Sequence, residues 1–316
     1  MSPPFVTPAP HRALLRLDGP DAVGFLQGLL SNDITKISPT QGLWSALLTP
    51  QGKFLHDLFV VRDDQDDGPG LLLEAEAERL PDLIKRLKLY RLRAKVQINP
   101  LTTWSVALLW GAGTAEKLQL ASADRTPGLG PVAAWRTAAS GRILALCDPR
   151  LPAAGARAYL SPDVGLEDLT ARGFAEAEFP AWDRHRLALG LPDGSRDLLV
   201  DKAVLLENGF DELGGVDWKK GCYVGQELTA RMRYRGLVKK RLLPVSFEGP
   251  APAKGAQILL DGKDAGTFLS HSGQQGLALL RLGALEKSPP EPLTSGPARL
   301  RVQIPEWVQL PQPPVT

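Results

Sequence analysis

The chain predicts an α+β protein of two split βαβ lobes followed by a small β-barrel, and three observations carry that prediction. The first hundred residues alternate strand, helix, strand, strand, helix and strand signals. Residues 103–175 repeat that order loosely, in topology only, and from Lys239 onward the texture changes to short apolar runs cut by glycine and proline. At 316 residues the chain exceeds a usual single core. The expected divisions are a first lobe over 1–102, a second over 103–238 and a barrel over 239–316.

The elements follow in order. Arg12 to Leu17 alternates as a strand, Asp18-Gly19-Pro20-Asp21 turns the chain and offers a helix cap, and Ala22 to Leu30 sets Phe25, Leu26, Leu29 and Leu30 on one helical face. Leu43 to Leu48 and Phe54 to Val61 are apolar strands around the turn Thr49-Pro50-Gln51-Gly52-Lys53, with Leu71 to Leu73 a short addition. Arg79 to Leu89 carries Leu80, Leu83, Ile84 and Leu87 at helical spacing, and Ala94 to Ile98 alternates again. This is the split βαβ plan, an antiparallel sheet with helices on one face.

In the second lobe Trp104 to Trp110, Val132 to Thr137 and Arg142 to Cys147 are strands, the last two a hairpin across Ser140-Gly141. Ala115 to Leu120, Leu166 to Arg172 and Ala175 to Leu189 are helices, the last bent by Pro180. Leu242 to Phe247, Gln257 to Leu260, Gly266 to Ser270, Leu277 to Leu280 and Leu300 to Ile304 build the barrel. Pro289 to Pro297 is expected as a loop, and the proline-rich end after Pro311 as disordered.

Composition narrows the function. Hydrophobic content of 43% and charged content of 23% are those of a folded globular chain. No apolar run approaches the roughly 20 residues a membrane helix needs. Met1 to Pro10 lacks a secretory pattern, and its prolines predict an extended tail. Cys147 and Cys222 make no disulfide framework, which points to a reducing compartment, by default the cytoplasm. A net charge of +2 gives no global attraction to nucleic acid, so direct binding to it is not expected.

Several familiar sites are ruled out. Gly111-Ala112-Gly113 lies between a strand and a helix, but the third glycine of a dinucleotide fingerprint would fall at Glu116, whose charge repels a pyrophosphate. His11, His56, His185 and His271 are scattered, and two cysteines cannot bind a four-thiolate cluster alone, so no metal site within the chain is expected.

The most informative stretch is Lys220-Gly221-Cys222-Tyr223-Val224-Gly225-Gln226-Glu227. A thiol reacts as its thiolate, which nearby positive charge favours, and Lys219, Lys220 and Arg231 are candidates to supply that charge to Cys222. Gly221 and Gly225 leave the backbone open to a close approach. The segment therefore predicts an exposed functional loop; the alternative is a free cysteine packed as a small hydrophobe. Just downstream, Arg231, Arg233, Arg235, Lys239, Lys240 and Arg241 form a basic run. It is either a solvated strand face or a local site for phosphate, RNA or carboxylates, with Tyr234 able to stack on a planar ligand.

The octapeptide, with Ala230-Arg231 and Arg235-Gly236, resembles the signature of the YgfZ family of folate-binding proteins, relatives of the glycine-cleavage T-protein and of a mitochondrial iron–sulfur assembly factor. Supporting stretches are Phe25-Leu26-Gln27-Gly28 with Ser31-Asn32-Asp33, Leu48-Thr49-Pro50-Gln51-Gly52-Lys53 with Asp57, Tyr90-Arg91-Leu92-Arg93-Ala94-Lys95-Val96, and Gly276-Leu277-Ala278-Leu279-Leu280-Arg281.

The resemblance implies a T-protein-like cloverleaf, two α+β lobes and a barrel around a channel for tetrahydrofolate or its polyglutamylated form. Glu207 is similar in placement to the glutamate that grips the pterin, and Asn32, Asp33 and Asp57 are further candidates for lining the channel. Arg231, Arg233 and Arg235 would meet the polyglutamate tail or a partner. Where the T-protein has two consecutive aspartates, this chain reads His56-Asp57, which argues against glycine cleavage while leaving folate binding intact. Leu205 stands where many relatives have proline.

The function implied is a tetrahydrofolate-binding accessory protein in assembly or repair of iron–sulfur clusters of client enzymes, those that modify tRNA among them. Its partners would be those clients or cluster carriers. Cys222 would ligate iron transiently, form a mixed disulfide, or react with a folate-borne one-carbon unit; the residues leave these open. The alternatives are a folate-dependent one-carbon transferase or demethylase with Asp57 or His56 as general base, and a scaffold in which Cys222 only packs.

Overall fold

The computed structural model describes residues 3–65, 68–120, 126–137, 141–285 and 293–310. In chain order the strands are β1 (Phe5–Pro8), β2 (Arg12–Asp18), β3 (Gln41–Leu48), β4 (Phe54–Gln65), β5 (Gly68–Glu76), β6 (Gln97–Pro100), β7 (Ser105–Trp110), β8 (Leu129–Arg136), β9 (Arg142–Cys147), β10 (Ala156–Leu160), β11 (Ala175–Glu176), β12 (Lys240–Glu248), β13 (Gln257–Leu260), β14 (Lys263–Ser272), β15 (Gln275–Arg281), β16 (Leu293–Ser295) and β17 (Ala298–Val302). The helices are α1 (Ala22–Gln27), α2 (Leu80–Arg91), α3 (Thr114–Lys117), α4 (Leu166–Thr170), α5 (Phe179–Ala188), α6 (Gln226–Tyr234) and α7 (Leu282–Leu285).

The α+β class with a terminal barrel is what the structure shows. Strands β1 to β11 form one sheet in the order β11-β1-β7-β10-β9-β8-β3-β4-β5-β2-β6, and the last six strands close into a barrel, β12-β15-β14-β13-β16-β17. The sheets of the two lobes are joined through β3 and β8, where Gly42 pairs with Gly130. The largest apolar cluster draws Trp44 and Phe59 from one lobe, Leu108 and Tyr159 from the other, and Phe210 from the segment that follows. Trp44 and Phe210 stack with centroids 4.0 Å apart. A second cluster lies under α1 and α2, a third includes Leu118 and Leu169 beside α3 and α4, and a fourth fills the barrel.

The lobes also share a buried ionic network. Arg12 on β2 donates to Glu74 on β5 at 2.7 Å and to Asp57 on β4 at 3.2 Å, while Arg157 on β10 reaches the same Glu74. Arg157 also stands 3.6 Å from the Phe59 ring centroid. Guanidiniums buried at this depth require paired carboxylates, because an unpartnered charge there is costly.

Four local expectations change. The N-terminal prolines do not hold residues 5–8 off the body: β1 pairs antiparallel with β7 and parallel with β11, and Val6 is fully buried, so apolar burial places this segment in the sheet. Residues 175–189 are not one bent helix, because Pro180 lies in the first turn of α5, where its missing N–H costs nothing, and Ala175–Glu176 pairs instead with β1. Within the expected loop 289–297, Leu293–Ser295 is a barrel strand paired with β17, its Leu293 buried among the barrel residues. Arg231 and Arg233 lie on helix α6, not on a strand face or in a loop, since Met232 and Thr229 turn one face of that segment inward. The end after Pro311 and Ser140 of the expected hairpin turn lie outside the described residues.

Candidate functional site

Three of the sequence stretches set apart above converge on the loop before α6. Asp217 opens it: its backbone N–H donates to the Ser31 carbonyl at 3.0 Å, and its Oδ1 accepts from the N–H groups of Lys219 (2.7 Å) and Lys220 (3.0 Å), an Asx turn that fixes the chain's direction. The Lys220 side chain points into the protein. Its Nζ donates to the carbonyls of Gln27 at 2.8 Å, Leu30 at 2.5 Å and Asn32 at 2.9 Å, the first at the end of α1, where a helix leaves carbonyls without helical partners, and the other two in the segment that follows. Burial pushes the Lys220 ammonium down to about 8. Val224 N–H then donates to the Gly28 carbonyl at 3.1 Å, and Tyr223, nearly buried, holds the far side with its ring 5.0 Å from Lys220 Nζ.

Gly225 ends the loop at φ +82° and precedes the first residue of α6. A Cβ there would fall 2.4 Å from the Thr49 carbonyl oxygen, and one on Gly52 would fall 2.7 Å from the Gly225 carbonyl oxygen. The turn Thr49–Lys53 and the start of α6 therefore touch backbone to backbone, a contact that only glycine allows. Between Lys220 and Gly225, Gly221 and Cys222 stand exposed, and nothing lies within 4 Å of where a Gly221 Cβ would be. The two thiols differ sharply: burial pushes Cys147 up to about 11, aided by the neighbouring Asp148, whereas Cys222 faces solvent.

The remaining predicted residues are spread around this loop. Asn32 is buried, its Nδ2 donating to the carbonyls of Trp44 (2.8 Å) and Gly214 (2.9 Å) and its Oδ1 accepting from Asp33 N–H. Asp33 accepts from Thr35 and from Gln27 Nε2, bonds that hold its carboxyl below the usual range despite an opposing desolvation. Gln226 accepts from Tyr223 N–H at 3.2 Å, and Glu227, Arg231 and Arg235 are exposed on or beside α6. Asp57 is elsewhere, in the buried network with Arg12. His56 is also buried; its Nε2–H donates to Asp82 at 2.9 Å, and burial pushes the imidazole down to about 4. Glu207 sits half-buried on the turn Leu205–Asn208, within electrostatic reach of Arg241.

A cavity of about 620 Å³ opens where the second lobe, the central segment and the barrel meet, lined among others by Pro127, Leu206, Asp211, Glu212, Arg233 and Arg241. Asp211 accepts from Trp218 Nε1 at 2.6 Å and from Arg233 at 3.3 Å, and its burial raises the carboxyl above its ordinary range. Arg233 lies 4.1 Å from the Trp218 ring, so it is engaged within the protein rather than free for an external anion. Asp211 and Glu212 were not foreseen as site residues, because only tertiary folding brings them to one cavity with Arg233 and Arg241. The Asp217 turn was not read from the sequence either, although an aspartate two and three residues before its backbone donors is a local signal that marks such a turn. Among the described residues no group of three histidine, cysteine or acidic side chains is placed to hold a metal ion. No described helix is long and apolar enough to cross a membrane.

Comparison with known proteins places this geometry. Residues 239–310 match the family model described as CAF17, C-terminal beta-barrel domain. The iron-sulfur cluster assembly factor IBA57 of Mus musculus is 33% identical, covering 94% of this chain and 83% of its own length. That of Homo sapiens is 34% identical over 85% of this chain and 75% of its own length. The homologue in Neurospora crassa is 34% identical over 78% of this chain, which spans only 55% of that longer protein. The glycine cleavage system aminomethyltransferase T of Bartonella henselae superposes with a TM-score of 0.69 over 97% of this chain and 87% of its own, at 15% identity, a likeness of fold alone. These IBA57 relatives are named as mitochondrial, which overturns the cytoplasmic assignment; unpaired cysteines indicate a reducing setting but cannot choose between compartments. The chain belongs to the family that joins YgfZ and CAF17 with the IBA57 proteins, and within it its likeness is to IBA57.

Proposed function

We propose that this protein assists iron–sulfur cluster assembly through Cys222, which offers one thiolate to a cluster or a partner thiol. The observation that carries the proposal is the exposure of Cys222 on a loop held from below by the three carbonyl bonds of Lys220 and the Gly52–Gly225 contact. A thiol kept at a fixed place and open to solvent can donate one ligand to iron while a partner supplies the others. The names of the relatives support the part in cluster assembly. The client enzymes, tRNA-modifying ones among them, would receive the product.

Tetrahydrofolate is the small molecule we propose for the cavity at the meeting of the three modules. Its volume falls in the usual range for ligand pockets, and its carboxylates suit the donor edge of a pterin. Asp211 and Glu212 would face that edge, with Glu207 beside Arg241 just behind the wall. Bound there, folate would supply either a one-carbon unit or a structural wedge between the lobes and the barrel. The transferase alternative has less support, since its candidate bases are a buried, neutral His56 and an Asp57 paired with Arg12.

The test is complementation of a deletion strain under oxidative stress, with wild type and Cys222→Ser in parallel and the activity of cluster-dependent enzymes as readout. Loss with Cys222→Ser is expected while the protein stays folded. Full activity with that variant would overturn the thiol's role. Titration calorimetry with tetrahydrofolate, on wild type and Asp211→Asn, tests the cavity separately.

A further inference from the structure

The stretch Tyr90 to Val96 closes α2 and takes no part in the site just described, yet it is built unlike an ordinary helix end. Leu89 is 72% exposed and Leu92 88% exposed, the latter the most exposed large apolar side chain among the described residues. Leu92 also has φ +43° and ψ −108°. That is the conformation of the first central residue of a type II′ turn, where glycine is the residue that fits without cost. A bulky residue held there costs on the order of 1–3 kcal/mol. The chain thus bears strain to hold an apolar side chain in water, the reverse of what stability alone selects.

The turn is rigidly seated. Lys95 N–H donates to Asp21 Oδ2 at 2.7 Å, Ala94 N–H to the Arg91 carbonyl at 2.8 Å, and Val96 is buried under the helices. Lys85, Lys88, Arg93 and Lys95, which neighbour the two leucines in sequence, are all exposed and none is paired with a described carboxylate. Asp82, the acid of this helix, is taken by Arg86 and His56. Cations in a last helical turn favour the helix dipole, which accounts for Lys88 but not for the leucines, nor for Arg93 and Lys95 beyond the helix. Lys85 and Leu89, four apart, share one face of α2, and Leu92 follows directly after its last residue.

We infer that Leu89 and Leu92, with the exposed Lys85, Lys88, Arg93 and Lys95 beside them in the chain, form a docking knob for a partner protein that offers an apolar helix face flanked by carboxylates. Charge complementarity selects an acidic partner, and two aliphatic side chains with no exposed aromatic ring select protein over single-stranded nucleic acid. The knob and the thiol loop also flank one short element. Lys95 is bonded at Asp21, Val224 at Gly28, and that span rises roughly 10 Å along a helix. Docking at the knob does not depend on the chemistry at Cys222.

The test uses the full chain and a fluorescein-labelled helical peptide with leucine on one face and glutamate along its flanks. The same peptide with glutamine for glutamate is the control. Wild type should bind the glutamate peptide saturably, weaken with salt, and bind the glutamine peptide at least tenfold less well. Leu92→Glu should lose at least tenfold in affinity, as expected for an anchor at the centre of an interface. Leu92→Gly should lose it too while its melting temperature stays or rises, because the strain is released as the anchor goes. Absence of saturable binding, equal binding of the two peptides, or wild-type affinity in Leu92→Glu would overturn the inference. So would a preference of the same surface for anionic vesicles, RNA or a second copy of this chain.

Discussion

Lys220 Nζ donates to the Asn32 carbonyl at 2.9 Å, and through this bond the loop that presents the thiol is fastened to a segment 188 residues earlier in the chain. Two more carbonyls, of Gln27 and Leu30, share the same ammonium. Lys220→Met keeps the aliphatic stem and removes all three bonds. Hydrogen bonds to a charged group are worth about 1.5–3 kcal/mol each at most, and these share one donor, so a loss of about 2–3 kcal/mol is expected in urea unfolding. Faster proteolysis at Gly221 would be its local signature.

Gly52 and Gly225 test the other anchor. Gly225→Ala places a methyl 2.4 Å from the Thr49 oxygen at a positive φ, so it should cost more than about 1 kcal/mol. Gly52→Ala should cost a similar amount by pressing on the same contact from the other side. A double-mutant cycle by thermal unfolding should show the two effects to be less than additive, because one opening relieves both.

The network between the lobes makes a third prediction. Glu74 is fully buried and accepts from Arg12 and Arg157. Glu74→Gln leaves two buried guanidiniums without their shared counter-charge, for an expected loss of about 3–5 kcal/mol in urea unfolding. A loss under about 1 kcal/mol would mean that Asp57 and Asp148 alone compensate both arginines.

His56 gives the structure a pH dependence. Its imidazole titrates near 6.5 when unfolded and about 4 when folded, so between those values the unfolded chain holds the extra proton. Stability from this residue is present above pH 6.5 and is lost as pH falls toward 4, by about 3 kcal/mol in all. Comparing urea midpoints of wild type and His56→Gln at pH 7 and pH 4.5 separates it from the carboxylates that titrate in the same range. The wild type should lose more on acidification.

Periodic patterns made much of the fold legible. Arg12 to Asp18, Gln41 to Leu48 and Phe54 onward are buried strands whose apolar runs mark them in any context, and the glycine-punctuated barrel after Lys239 is equally local. The octapeptide around Cys222 likewise announced itself through its residue types. What failed locally were segments whose structure depends on a distant partner. Phe5 to Pro8 becomes a strand because β7 and β11 wait for it, and Leu293 to Ser295 because β17 does.

The site divides along the same line. By itself the sequence determined which residue types stand together, a thiol among glycines and lysines, since side-chain type and backbone freedom are properties of the residue and its neighbours, while the exposure of that thiol came from the fold. Only the tertiary structure decided that Lys220 would spend its charge on carbonyls, that Asp57 would be paired with Arg12, and that Asp211 and Glu212 would line the cavity instead. The reason is physical: hydrogen bonds and ion pairs in a low-dielectric interior are fixed by which groups folding brings within about 3 Å, and sequence spacing does not encode that distance.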